Sequence, residues 1–349
     1  MATQKIEIEN FDFTGLILEQ PKEKAVGLPA IISSVKQAAK YMDPIDAFKL
    51  SLKINQKGGF DCPGCAWPDP DDDRSALGEY CENGMKAIAE EATKKSITAD
   101  FFKQHSIAEI SKFSDFKMGK TGRLTLPMVL RKGATHYEPI SWEDAFKLIA
   151  NELNALDSPD EAIFYTSGRT SNEAAYLYQL FIRAYGTNNL PDCSNMCHES
   201  SGVALSHTVG IGKGSVTLND IHEAEVVMIM GQNPGTNHPR MLAALEKCKG
   251  NGGKIITVNP LPEAGLLNFT DPQSPIKMMK GGTSLTDIFA PVKVNGDVAF
   301  LKVIMLKLVA MEDANPGKVL DWAFIKEHTH GFDDFIVELR KENLQNCIA

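Results

Sequence analysis

The feature that most constrains the fold of this 349-residue chain lies at residues 224–258. AEVVMIM (224–230) is a continuous apolar run of strand length, and the turn GQNPGTNHP follows it. Arg240–Lys249 then carries helical spacing, Gly250–Gly253 turns the chain, and KIITV (Lys254–Val258) is a second apolar strand. An apolar run without alternation suits a strand covered on both faces. Strand, helix and strand in succession demand parallel pairing through a right-handed crossover. The expected fold class is therefore α/β with a parallel sheet. In such sheets ligands gather beyond the carboxyl ends of the strands, which selects the loops Gly231–His238 and Asn259–Pro262, both rich in Gly, Pro and Asn.

The same alternation begins at Ile140. Ser141, with Asp144 three residues on, marks an N-cap for a helix over Ala145–Leu156. EAIFYTS (Glu161–Ser167) reads as a short strand, and Asn172–Tyr185 as a helix stopped by Gly186. Nearer the amino end, Pro29–Tyr41 reads as a short helix, and residues 81–113 resume helical spacing with Met85, Ile88 and Ala89 on one face. Between these, residues 51–80 are rich in Gly, Pro and Asp and show neither period, so their order must come from something non-local, such as a metal.

A formal charge of −9 and the absence of a basic stripe argue against nucleic acid as a partner. No apolar stretch reaches the roughly 18 residues a membrane span needs; the best, Ala299–Met311, is broken by Lys302 and Lys307. With no leader pattern at the start, a cytoplasmic location is expected. There disulfides are disfavoured, and the seven cysteines read as metal ligands, reactive thiols or core residues. His207, His222, His328 and His330 read as surface or cap residues, and Cys248 and Cys347 as ordinary thiols.

Cys62-Pro-Gly-Cys65 is the densest of these signals. Two thiolates separated by two residues can chelate one metal or cluster, although zinc knuckles, redox dithiols and incidental core pairs share the spacing. A dithiol site wants a helix beginning at the motif, and Trp67-Pro68-Asp69-Pro70 forbids one. A closed zinc site wants a second pair, whereas Cys81 alone follows. Three cysteines with an oxygen ligand suit an iron–sulfur cluster better.

Cys62-x2-Cys65, the position four further on and Cys81-Glu-Asn-Gly together resemble the cluster segment of molybdopterin oxidoreductases of the formate dehydrogenase alpha-subunit type, and CPGCAWPDP with EYCENG is most similar to its FdhF/YdeP-type branch. That family carries a third cysteine where this chain has Asp69, and a lysine where it has Asn83, with Lys86 the nearest base. The resemblance implies a 4Fe-4S cluster on Cys62, Cys65, Asp69 and Cys81. It continues through GRLTLPMVLRKG, PISWEDAFKLIANEL and SGRTSNEAAYLYQLFIRAYGTNNL to Asp192-Cys193-Ser194-Asn195-Met196-Cys197-His198. By resemblance Cys197 is the ligand of molybdenum or tungsten and His198 its catalytic neighbour. A soft thiolate suits a metal held by dithiolenes, and an imidazole beside it can take up a proton. Cys193 is the second candidate ligand; a buried pair of small residues at i, i+4 is the competing structural role.

The resemblance also assigns contacts to a Mo-bis(molybdopterin guanine dinucleotide) cofactor. Gly231, Gln232, Asn233, Thr236 and Asn237 occupy a G-x-N-x-x-x-x-H-P-like loop; Asn259, Pro260 and Leu261 stand where the family has D-P-R; Asn295, Gly296 and Asp297 resemble a later loop closing over the nucleotide. Backbone N–H groups at a helix start suit pyrophosphate, and Asn side chains can read guanine or ribose edges. The implied division is an extension at 1–50, a cluster-bearing domain at 51–130, a first α/β segment at 131–191 and a pterin-nucleotide domain at 192–349.

The implied chemistry is a two-electron oxidation or reduction of a small molecule, formate foremost, with electrons leaving through the cluster to a redox partner. Members of the family are about twice this length, so a fragment, a truncated reading frame or a short relative is expected, binding cofactor weakly or aggregating when alone. The alternatives are a non-catalytic cluster- or cofactor-binding relative and a zinc-binding dehydrogenase-like α/β enzyme.

Overall fold

The computed structural model describes residues 22–65, 67–191 and 193–348, the side chains of 193–197, 346 and 348 excepted. Two compact units emerge: Leu28–Leu218, and Lys22–Gly27 with Asn219 onward.

In the first unit, α1 (Gly27–Tyr41), α2 (Pro44–Ser51) and α3 (Glu82–Glu91) are the first three helices among the described residues. Proline at the start of α2 supplies a preset φ and lacks only an N–H that the helix would leave unpaired. Ala38, Tyr41 and Met42 meet Ile54 and the Met85, Ile88 and Ala89 face of α3 in one apolar cluster, with Cys62 and Tyr80 packed against it. The helical spacing of Met85, Ile88 and Ala89 thus places those side chains where the sequence pattern put them.

The described residues of 52–80 contain neither helix nor ladder; Ile54 and Phe60 form an isolated bridge. Ile54, fully buried, pins this loop to the core. Further along, α4 (Trp142–Asn154) starts where Ser141 accepts the Asp144 N–H. Helix α5 (Asn172–Tyr185) is capped by Ser171 and ends at Gly186, whose φ of 112° a side chain would resist. Tyr185 Oη donates to the Leu153 carbonyl at 2.7 Å, tying α5 to α4. Helix α6 (Cys193–Val209) follows.

The strand expected over Glu161–Ser167 is not assembled. Pro159–Glu161 coils into a 3-10 turn, and apart from a lone bridge at Thr166 the rest is irregular. The Phe164 N–H goes to the Asn189 carbonyl at 3.0 Å. Extended propensity becomes a strand only when a neighbour receives a run of ladder hydrogen bonds, and among the described residues no strand pairs along this segment.

The second unit is built on three parallel strands, β1 (Val226–Met230), β2 (Lys254–Val258) and β3 (Ile288–Ala290), in the order β3-β2-β1. Helix α7 (Met241–Gly250) connects β1 to β2. Ile255, Thr257 and Val258 of the central strand, and Leu242 and Leu245 of α7, are fully buried; each such aliphatic side chain contributes about 1.5–3 kcal/mol. Burial on both faces was also expected of β1. Instead β1 is an edge strand, with Ile229 buried but Val226 57% and Met228 40% exposed. A smaller sheet joins Ala25–Val26, Asn268–Thr270 and Thr283–Ser284. Helix α8 (Asp297–Ala314) packs against Phe332–Leu339 and Leu344–Ile348. No helix among the described residues is long and apolar enough to cross a membrane.

Candidate functional sites

The cysteine segment lies in the first unit. Cys62, Cys65 and Cys81 are all half-buried. Cys81 is the N-cap of α3, its sulfur accepting the Gly84 N–H at 3.4 Å, and the Cys62 sulfur accepts the Gly64 N–H at the same distance. A methyl placed on Gly84 would stand 3.0 Å from the Cys62 sulfur and 3.9 Å from that of Cys81. Both thiols therefore converge on bare glycine backbone, space that a side chain would fill.

Asp69, the oxygen donor expected from the sequence, faces the Arg74 guanidinium at 3.9 Å, both side chains about one-fifth exposed. Soft thiolate donors on a loop and a helix start, with glycines beside them, fit an iron–sulfur cluster in donor chemistry. Among the described residues no three His, Cys, Asp or Glu side chains converge closely enough to hold a single metal ion.

Two residues missed by motif reading order this loop. Asn55, 3% exposed, accepts the Cys62 N–H through Oδ1 and donates from Nδ2 to the Glu79 carbonyl, each at 2.7 Å. Arg74 donates to the Asn55 carbonyl at 2.6 Å and the Pro70 carbonyl at 2.9 Å. The available signal, an Asn in a turn-rich stretch, is too common to single out Asn55.

The second site is the carboxyl edge of the three-stranded sheet. Met230 pairs with Val258 and Val258 with Ala290, so the three strands end side by side. From these ends leave the loops that carry Gly231–Asn237, Asn259–Leu261 and Asn295–Asp297. Gly231 turns out of β1 at φ 65°, and its N–H reaches the Val258 carbonyl at 2.9 Å.

Asn259, 6% exposed, latches two loops together: Nδ2 donates to the Gln232 carbonyl at 3.3 Å and Oδ1 accepts the Leu261 N–H at 3.1 Å. Gln232 Nε2 meets His238 Nδ1 at 3.1 Å. The Thr236, Asn237 and His238 amides are spent within the turn on the Asn233 and Pro234 carbonyls. Gly231, Thr236, Asn237, Pro260, Leu261 and Asn295 are exposed; Gln232, Asn233, Gly296 and Asp297 are half-buried.

Gly265, which sequence reading passed over, lets the loops close. A methyl there would sit 2.5 Å from the Gly235 Cα, so the turn Ala264–Leu267 seats directly on Pro234–Asn237. A lone Gly within PEAGLL gives no local hint of that contact.

The Cys193 and Cys197 side chains lie outside the described residues. Their backbone belongs to the first turns of α6, and His198, next along it, is exposed.

Residues 123–278 match the family model described as Molybdopterin oxidoreductase. This stretch, containing Cys197, His198 and the loops after β1 and β2, is similar to molybdopterin oxidoreductase domains. Over 344 residues, 99% of the chain, the sequence is 49% identical to a Mycobacterium tuberculosis protein named "Uncharacterized oxidoreductase", of which it spans 44%. YdeP of Escherichia coli is 43% identical over 334 residues, 94% of this chain and 43% of that protein. Formate dehydrogenase H of the same species is 30% identical over 220 residues, 62% of this chain and 28% of that enzyme. A structural likeness to acetylene hydratase from Pelobacter acetylenicus has a TM-score of 0.46 at 18% identity and covers 63% of this chain and 27% of that one. The chain thus spans less than half the length of these relatives.

Proposed function

We propose that this chain supplies the cluster segment and a pterin-nucleotide site of a formate dehydrogenase-like molybdopterin oxidoreductase. The observation that carries the reading is the alignment of three parallel strand ends whose loops hold Gly231, Gln232, Asn233, Thr236, Asn237, Asn259, Pro260, Leu261, Asn295, Gly296 and Asp297, two of those loops within the family match. Mo-bis(molybdopterin guanine dinucleotide) would supply the two-electron redox chemistry, and a 4Fe-4S cluster the route outward to a redox partner. Cys197 is the thiolate that would hold the metal, and His198 the base that takes the proton released from a substrate such as formate. Asn259 keeps the first two loops in register. Cys62, Cys65 and Cys81 would hold the cluster, with Asp69 the oxygen donor of the set.

The test is elemental analysis for molybdenum, tungsten and iron on anaerobically purified chain, with fluorescence of the oxidised pterin and formate-dependent reduction of a viologen dye. Molybdenum or tungsten with pterin is expected, and Cys197→Ser should abolish dye reduction. Protein with no pterin and neither metal sinks the reading. The second reading is a non-catalytic cluster-binding relative, which would need only the approach of the Cys62 and Cys81 sulfurs to Gly84; iron without molybdenum, tungsten or pterin would support it.

A further inference from the structure

We propose that Asn55 is the positioning residue that fixes the Cys62–Cys65 loop against Cys81, so that their thiols address one shared ligand. The inference rests on the reading of this segment as an iron–sulfur site. Asn55 sits at φ 55°, a left-handed conformation that Asn adopts more readily than other side chains bearing a Cβ. That conformation lets all four of its polar groups work at once. Its N–H donates to the Phe60 carbonyl at 2.8 Å, and its carbonyl accepts from Arg74. The side-chain oxygen takes the Cys62 N–H, and the side-chain amide reaches Glu79, two residues before Cys81.

Ile54, fully buried, anchors the preceding residue in the core, so the four tethers radiate from a fixed point. Only a short side chain with one acceptor and one donor can hold both cysteine-bearing segments from there: Asp lacks the donor, Leu lacks both, and Gln carries an extra methylene. The convergence of Cys62 and Cys81 on Gly84 is the geometry that this bridge sets.

The test compares wild type with Asn55→Gly, which keeps the left-handed backbone without steric cost while deleting both side-chain hydrogen bonds. The full chain is reconstituted anaerobically with ferrous iron and sulfide, and cluster loss to a chelator is followed by visible absorbance. Loss of such a supporting contact should speed release by roughly 10-fold or more while the circular dichroism melt stays cooperative.

A cluster-independent readout uses the same pair in a background with Cys65, Cys193, Cys197, Cys248 and Cys347 replaced by Ala. Dibromobimane, which fluoresces once both its arms are alkylated, reports Cys62–Cys81 proximity, and Asn55→Gly should lower its yield severalfold. Unchanged release and unchanged cross-linking overturn the proposal. If wild type takes up no iron, the cluster reading falls and the bimane yield alone decides for or against Asn55. If Asn55→Gly does not fold, Asn55→Asp, which keeps the acceptor and loses the donor to Glu79, must change both readouts in the same direction; no change overturns the proposal.

Discussion

Single carboxylates in the second unit show what local hydrogen bonding does to a titration. Glu312, 6% exposed, accepts from the Trp322 indole and from the Gly317, Leu320 and Val319 amides. These donors, the indole foremost, hold its carboxyl down to about 2, from an ordinary value of 4.5. A depressed folded value means the stabilisation is complete above the unfolded value and is lost as the pH falls through the folded one. Glu312→Gln should therefore lower the melting temperature at neutral pH, and the gap to wild type should close between pH 4.5 and about 2 in a circular dichroism series. A gap that persists at pH 2 contradicts the assignment. Thiols differ by site in the same way: Cys248 is fully buried, and desolvation pushes its pKa up. In native protein, iodoacetamide should label the half-buried Cys62, Cys65 and Cys81 well before Cys248, as peptide mass spectrometry would show.

Elements matter here chiefly through their ends and edges. The turn Ala264–Leu267 meets Pro234–Asn237 backbone to backbone, so Gly265→Ala must push the two apart. Overpacking of this kind costs on the order of 1–3 kcal/mol. Gly265→Ala should lower the melting temperature and, on the proposed reading, the pterin retained per chain; a variant that melts and retains pterin like wild type removes the contact from consideration. Val226 and Met228 are exposed on β1, which among the described residues pairs with a strand on one side alone, the arrangement that invites strand addition. Val226→Lys should raise the soluble fraction after expression, read by centrifugation, with the far-ultraviolet spectrum unchanged.

For the whole molecule, length is the dominant fact. The chain spans 44% of its Mycobacterium tuberculosis relative, and several large apolar side chains of α4 and α5 are exposed, Trp142 at 65% and Tyr176 at 65% among them. The 349-residue chain alone should therefore hold molybdenum below one atom per chain and self-associate at higher concentration. Plasma emission spectrometry with light scattering checks both, and a monomer with one molybdenum per chain would refute the expectation.

Local sequence determined the elements whose causes are local. Asn172–Tyr185 and Lys254–Val258 have the bounds read from pattern and caps, because N-cap hydroxyls, a left-handed glycine and an unbroken apolar run act within a few residues of where they stand. The placement of the loops after β1 and β2 at one sheet edge was legible for the same reason: a βαβ unit makes the two strands parallel. What only the tertiary structure decided needed partners distant in the chain. Among the described residues, no neighbouring strand pairs along Glu161–Ser167, and β1 is an edge because no further strand of this sheet pairs beyond it. Asn55 is important because Cys62 and Glu79 arrive on either side of it, and Gly265 because Gly235 does. Hydrogen-bond partners and close approaches between separate segments are properties of the packed chain, and no periodicity in the sequence encodes them.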